Sequence, residues 1–260
     1  MNDKITPELA EFLGIMVGDG NIYISKDENR YRLIICGHLK NDYIYLNIYV
    51  KRLVDKLFNK PISKWVFRNK NSFAISVNSK GVIKLLVSLG LKVGKKSQIA
   101  TIPICVLKSR NKKIKASFLR GIADTDFSVA FHKGASRIEH TYPIITGATS
   151  SKNLAFQIKK LLKEFKINTN INIRRNTKGF SKVPQYYLYI YGEQNLEKWM
   201  KFIGFSNPNH FTKINLWKKF GFYLPNTSIK ERLILLTGKE VLSRYMTASS
   251  LLAGDGRLAA

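Results

Sequence analysis

The chain has 260 residues, 45% of them apolar and 12% aromatic, so it is not a disordered chain and can bury one large core or two of about 110 to 130 residues. Its 44 lysines and arginines against 17 acids give a formal charge of +27, a self-repulsion that a polyanionic partner offsets. Two cysteines without metal-finger spacing, Cys36 and Cys105, suit a reducing compartment. No apolar run approaches the roughly 20 residues that span a bilayer, and Asp3, Glu8 and Glu11 argue against a targeting peptide. The expectation is an intracellular protein without a membrane partner, in the cytoplasm of a prokaryote or in an organelle matrix.

In chain order, the first element is an apolar stretch from Phe12 to Gly20, with Gly14 and Gly18 four apart and Asp19 near its end. An extended run (22–25), a turn (26–29) and a strand (31–38) follow. A helix is predicted over 41–58, strands over 64–68 and 73–78 around a turn at 69–71, and a helix over 80–89 stopped by Gly90. The basic, proline-containing stretch 100–113 reads as a linker. The order then repeats. Leu119 to Phe127 carries Gly121 and Thr125 four apart and Asp126 near its end. Extended runs at 128–132 and 142–149, a helix over 151–165, strands over 170–176 and 185–191 around a loop at 177–182, and a helix over 193–203 stopped by Gly204 complete it. The spacing between copies is 107 residues at the aspartates and 114 at the helix stops, so the second copy has gained a few loop residues. After Pro225 one more helix (229–245) and a tail are expected, in which Leu252 to Gly256 faintly echoes the two motifs.

Each half therefore reads αββαββα, an α+β chain of two pseudo-symmetric repeats. The domain reading is a first repeat over 1–99, a linker over 100–115, a second repeat over 116–225, and a C-terminal helix and tail over 226–260. Small residues four apart share a helix face and let two backbones come close. Two motif helices packed along those faces bring Asp19 and Asp126 together at C-terminal ends, where the helix dipole disfavours an acid. Either aspartate alone would pass as a turn or capping residue; the pair points to a bound cation. Asp124 points elsewhere and reads as a polar interface residue.

Strand alternation sets Trp65 and Phe67 against Lys64, Val66, Arg68 and Lys70, with Ser76 and Asn78 outward on the next strand. In the second copy Asn170, Asn172, Arg174 and Asn176 face outward, as do Gln185, Tyr187 and Tyr189. Arg32 and His38 join the outward set from the earlier strand. Such side chains can be merely solvated, but no carboxylate is among them, and they suit base edges in a major groove.

Phe12 to Gly20 and Leu119 to Phe127, with the element order that follows each, resemble the LAGLIDADG homing endonucleases of the single-chain, two-repeat kind, over roughly residues 8 to 222. The resemblance implies paired motif helices at a pseudo-twofold interface and two four-stranded antiparallel sheets forming a saddle on double-stranded DNA. It implies catalytic, metal-binding acids at Asp19 and Asp126, with Gly18 and Thr125 carbonyls as further ligands. It also implies two or three Mg²⁺ ions, with Mn²⁺ or Ca²⁺ able to substitute in binding, and a monomer making a double-strand cut with short 3′ overhangs that promotes mobility of a host intron. A basic residue near each site is expected, Lys96 (beside Lys95) in the first copy and Lys213 in the second, with His210 as the alternative. Each could instead be an ordinary phosphate-contacting lysine. Motif one has Val17 where the family name carries its first aspartate, and motif two ends in Phe127 rather than glycine, which bears on how its helix is capped. Rival readings are an RNA maturase acting on its own intron RNA, a non-catalytic DNA-binding regulator, and a basic ribosomal or structural protein.

Overall fold

The computed structural model of the protein describes residues 5–25, 27, 29–133, 139–175 and 183–237. Asn176, the loop at 177–182, part of the turn at 26–29 and everything after 237 lie outside the described residues.

Helix α1 (Pro7–Val17) starts where its sequence directs: Thr6 caps it, accepting from the Leu9 amide at 3.2 Å, and Pro7 occupies the first turn, where its missing donor is harmless. Strands β1 (Gly20–Ser25) and β2 (Arg30–His38) follow. The helix predicted over 41–58 is present from 43, with a π-helical stretch at Tyr45–Val50 that leads into α2 (Lys51–Phe58). Strands β3 (Ser63–Phe67) and β4 (Ser72–Asn78) flank a 3₁₀ turn at Arg68–Lys70. Helix α3 (Lys80–Ser88), capped by Ser79, ends as Gly90 takes a φ of +103°, a conformation open to glycine.

The stretch expected as a linker contains a short helix, α4 (Ile104–Leu107), and the first residues of α5 (Lys112–Asp126), which Asn111 caps. The second copy continues with β5 (Phe127–Lys133), β6 (His140–Thr149), α6 (Lys152–Glu164), β7 (Asn170–Arg174), β8 (Gln185–Tyr191) and α7 (Glu193–Phe202). The hydroxyl of Ser151 caps α6 and also donates to the Ala100 carbonyl at 2.7 Å, tying the connection to the second half. Helix α8 (Pro208–Phe220) was not anticipated, although Asn207 followed by Pro208 is a helix-start signature. Helix α9 (Ile229–Thr237) packs on it through buried Arg232, whose guanidinium donates to Thr212, Asn209 and the Thr227 carbonyl.

Two four-stranded antiparallel sheets result, in the orders β1-β2-β4-β3 and β5-β6-β8-β7. Ile22, Leu33, Ile35, Phe73, Ile75 and Val77 fill the inner face of the first; Val129, Phe131, Ile145, Leu188 and Ile190 fill that of the second. Both cores merge through α1 and α5, which share the most extensive contact of any two elements. Among the described residues no helix is long and apolar enough to cross a membrane.

Candidate metal centre and nucleic-acid interface

The small residues four apart lie where α1 and α5 touch. A Cβ at Gly14 would collide with the Phe118 carbonyl oxygen and lie 2.8 Å from the Ile122 nitrogen; one at Gly121 would collide with the Glu11 carbonyl oxygen. One at Gly18 would collide with Thr125 Oγ1 and lie 3.4 Å from the Asp126 carboxyl carbon. The approach that glycine permits brings the end of α1 against the acid of the second motif.

The two ends are not identical. Gly18 caps α1 and Asp19 lies beyond that cap, whereas Asp126 is the last residue of α5 and Phe127 is its cap. Between them sits Lys96. Its Nζ donates to the Met16 carbonyl at 2.9 Å, to the Val17 carbonyl at 2.5 Å, and to the Gly18 carbonyl. A cleft of about 420 Å³ opens here between the halves, lined by Gly18, Asn21, Lys95, Lys96, Asp126 and Gln185, among others.

Asp19 is pushed up to about 8, first by desolvation among its neighbours and then by the charges of Asp126 and Asp42, with Lys96 opposing; the residue as a whole is solvent-exposed, so solvent screens part of this. Burial pushes Asp126 up to about 6, again against Lys96. Burial lowers Lys96, while the two aspartates hold it charged. Two acids made costly to ionise, beside helix-end carbonyls on which an ammonium already rests, present the hard oxygen donors that a cation takes. Among the described residues no group of three or more His, Cys, Asp or Glu side chains surrounds it. One or two carboxylates with open positions suit Mg²⁺, which keeps waters and takes phosphate oxygens.

The second copy has no lysine in the matching place. Six residues after Gly90 stands Lys96; six after Gly204 stands His210. The matching neighbourhood is kept: Lys96 bonds the Val17 carbonyl, and the backbone of Asp124, 107 residues further on, lies by His210 and favours its charged form. Burial drives His210 down to about 3, and its Nδ1 has no partner. Lys213 instead meets the Val129 carbonyl of β5 at 3.2 Å, lowered to about 8 by burial and then by Arg232. The alternative to Lys213 is thus the residue at the equivalent position.

Thr125 donates its hydroxyl to the Ile122 carbonyl at 3.0 Å. Asp124 is an interface residue: fully buried, it accepts from the Ser206 and Asn207 amides. Asn207 reaches on to Asp42 of the first copy at 3.0 Å. Glu11 of α1 pairs with Arg120 of α5 at 2.5 Å and accepts from the Tyr49 hydroxyl at 2.6 Å. Sequence reading placed Asp124 at the interface but passed over Glu11, Arg120 and Asn207. The available signal was a charged residue just before the first apolar motif, Glu11, and another inside the second, Arg120.

The strand faces need one correction. Residues paired directly across an antiparallel ladder share a face. Trp65 pairs with Ala74 and Phe67 with Ser72, whereas Lys64 and Val66 pair with Ile75 and Phe73 of the core face. Trp65 and Phe67 therefore belong to the outer face, and Lys64 reaches solvent from the edge of the inner one. Ser76 is buried beneath Trp65, whose indole donates to it at 3.3 Å, so it is not available as a base contact. Arg68 and Lys70 stand in the 3₁₀ turn. His38 is occupied by its own loop, accepting from Lys40 and Asn41 amides and meeting Asn71 at 3.1 Å. Arg32 lies outward, held by Asn78 at 3.0 Å. In the second sheet Asn170, Asn172, Arg174, Gln185, Tyr187 and Tyr189 share the outer face, as alternation predicts. Arg174 stacks on Tyr187 at 4.8 Å.

The family model described as LAGLIDADG-like domain matches residues 113–204. Among curated proteins, the replication factor C small subunit of Methanocaldococcus jannaschii is 28% identical over 207 residues, covering 80% of this chain and 10% of that one. The subunit of the same name from Pyrococcus horikoshii is 30% identical over 212 residues, covering 81% of this chain and 20% of that one. The chain thus spans only about a tenth to a fifth of these relatives' length. Among solved structures, variants of the homing endonuclease I-DmoI superpose with a TM-score of 0.53 at 14% identity, covering 76% of this chain and 95% of theirs. I-DmoI in complex with DNA and Mn gives 0.51 at 16% identity, covering 76% and 96%. Residues 113–204 thus match a LAGLIDADG-like domain, and across both halves the chain has the two-repeat fold of the homing endonuclease I-DmoI.

Proposed function

We propose that the protein is a site-specific DNA endonuclease that makes a metal-dependent double-strand cut. The observation that carries this is the approach of Asp19 and Asp126, one from each repeat, close enough for the charge of Asp126 to raise Asp19, with Asp126 lining the cleft between the halves. I-DmoI, which shares the fold, has been solved with DNA and Mn and with DNA and Ca.

The Asp19 and Asp126 carboxylates, with the Gly18 carbonyl, would hold a divalent cation, which supplies charge neutralisation on phosphoryl oxygens and acidifies water. Each repeat presents one carboxylate, so each acid serves one strand. Lys96, anchored through its ammonium on three carbonyls at the end of α1, sets positive charge beside both acids, which supports a role in offsetting charge at the phosphate. His210, buried and neutral, cannot supply that charge in the second copy. The outward side chains of both sheets read base edges, and the lysines and arginines around them supply a salt-sensitive phosphate term, with log K falling about 0.9 per neutralised phosphate for each decade of salt. Short 3′ overhangs and mobility of a host intron complete the reading.

The test is incubation of the full chain with a randomised duplex library and Mg²⁺, followed by sequencing of cut ends. A defined site with paired nicks is expected. Asp19→Asn and Asp126→Asn should each abolish double-strand cleavage while still binding that site. Full cutting by either variant, or binding without cutting by the unaltered chain, overturns the assignment.

A further inference from the structure

The two sheets occupy equivalent places, yet the outer faces of their edge pairs differ in kind, although Asn21 and Tyr23 make the rest of the first face polar and Ile144 and Ala148 lie on the second. The edge pair β7 and β8 presents Asn170, Asn172 and Arg174 beside Gln185, Tyr187 and Tyr189. Every one of these can hydrogen-bond a base or a phosphate. The equivalent edge pair β3 and β4 presents Trp65 opposite Ala74 and Phe67 opposite Ser72, whose hydroxyl is already used on the Gly37 carbonyl. The adjoining strand adds Ile34, opposite Ser76, and Cys36, opposite Ala74.

Trp65 and Phe67 are 43% and 45% exposed. The one polar atom of that pair, the Trp65 indole nitrogen, is already used on Ser76. This patch therefore has almost nothing with which to read donors and acceptors, and it leaves a large apolar surface in water, which marks a contact site. Its surroundings say what it contacts. Arg32 stands at one end of the face, and Arg68 and Lys70 close the hairpin at the other, in a chain of formal charge +27. A second copy of so basic a chain is repelled, and a duplex is attracted. In a major groove the apolar feature of a base edge is the thymine C5 methyl.

We infer that the protein reads the two halves of its DNA target by different chemistry: the first sheet, through Trp65, Phe67, Ile34 and Cys36, recognises thymine methyl groups, while the second reads hydrogen-bonding edges. Asn170 and Asn172 suit adenine, and Arg174 suits guanine. The half-site under the first repeat is then thymine-rich at its contacted positions. This rests on the DNA reading of the same surfaces and states what that reading leaves open.

Deoxyuridine is thymidine without the methyl, so the test needs no altered protein. The duplex recovered most often by the full chain from a randomised library in Ca²⁺ is resynthesised with every thymine of one half, or of the other, replaced by deoxyuridine. Each lost methyl contact should cost roughly fourfold in affinity. Two or three contacts then give a loss on the order of ten- to sixtyfold in one half, against less than about twofold in the other. The variant Trp65→Ser/Phe67→Ser should lose that sensitivity and keep its dependence on the other half. Equal losses in both halves, no loss in either, or unchanged uracil sensitivity in the variant overturns the inference while leaving DNA binding intact. Tighter binding of a single-stranded RNA than of any duplex, or a dimer that the variant dissolves, assigns the patch elsewhere and overturns it too. Failure to bind any duplex overturns the DNA reading and this inference together.

Discussion

Adding one methyl group at Gly14 or at Gly81 is the same chemical change, and the structure predicts opposite signs. In a helix alanine is favoured over glycine by about 1 kcal/mol. At Gly81, in the first turn of α3, an added Cβ meets nothing within 4 Å. Gly81→Ala should therefore keep most of the gain, about 0.5 to 1 kcal/mol, a rise of roughly 1 to 4 °C in Tm for a chain of this size. At Gly14 the new methyl meets two backbone atoms of α5, the Phe118 oxygen and the Ile122 nitrogen, and neither can swing aside as a side chain would. The helices must separate, loosening the buried row of Phe12, Leu13, Ile15, Phe118, Leu119 and Ile122 between the halves. Overpacking of this kind costs about 3 kcal/mol at the upper end of the usual range, and the helix gain offsets about 1. Gly14→Ala should thus lose about 2 kcal/mol, or roughly 4 to 8 °C. Thermal and urea unfolding of the metal-free proteins, run side by side, measures both. A Gly14→Ala variant as stable as the parent, or a Gly81→Ala variant that is weakened as much, would show that backbone contact between the motif helices does not set their spacing.

Asp126 ionises at about 6 in the fold against an ordinary 3.8, so the folded chain holds a proton that the unfolded chain gives up first. The associated stability is fully present below pH 4 and lost as pH rises through 6. In EDTA, Asp126→Asn should match the parent near pH 4 and exceed it by about 2 kcal/mol at pH 8, a gap that Mg²⁺ narrows. A constant gap across that range refutes the burial argument. For the clasp between the halves, Arg120→Met should cost about 3 kcal/mol, because it strands Glu11, whose side chain is 3% exposed, with only the Tyr49 and Ser206 hydroxyls. Glu11→Leu added to Arg120→Met should recover most of the loss in urea unfolding; a double variant weaker than the single one would mean that the pair stabilises by more than mutual neutralisation.

The repeat was legible because its signals are local and come twice: glycine and threonine spaced by four, an acid at each motif's end, helix stops at Gly90 and Gly204. Alternation gave the outer face of β7 and β8 for the same reason, since Leu188 and Ile190 mark the inner one without ambiguity. It misplaced β3 because all five of its residues are exposed. An edge strand with apolar residues on both faces offers no inward marker, and only its register against β4 orients it. Lys96 was legible by position after the helix stop, but Lys213 is a basic residue drawn to a different carbonyl. The clasp of Glu11, Arg120, Asp124, Ser206 and Asn207 depends on residues as far as 195 positions apart, Glu11 and Ser206, meeting in space, which no local pattern encodes.

Phe127, in place of the glycine that closes motif one, has a packing explanation that bears on the second acid. Gly20 faces Ile35 across the ladder of the first sheet, and Phe127 faces Gly147 across that of the second. The large residue has changed strands. A Cβ at Gly147 would collide with the Phe127 ring, just as one at Gly20 would lie 2.5 Å from the Met16 Cα. Met16 has its counterpart in Ala123, so the small residue in the second helix leaves room that the phenylalanine needs. The amide of Phe127 bonds the Ala123 carbonyl and closes α5 two motif positions later than Gly18 closes α1. The exchange conserves volume across each strand pair, and such swaps are the ones cores tolerate. What it changes is the exit: Asp126 leaves from an intact helical turn and Asp19 from the chain beyond a cap. The two acids therefore leave from backbones of different geometry, and with Lys96 on one side and His210 on the other, the duplicated site is a pair of unequal halves.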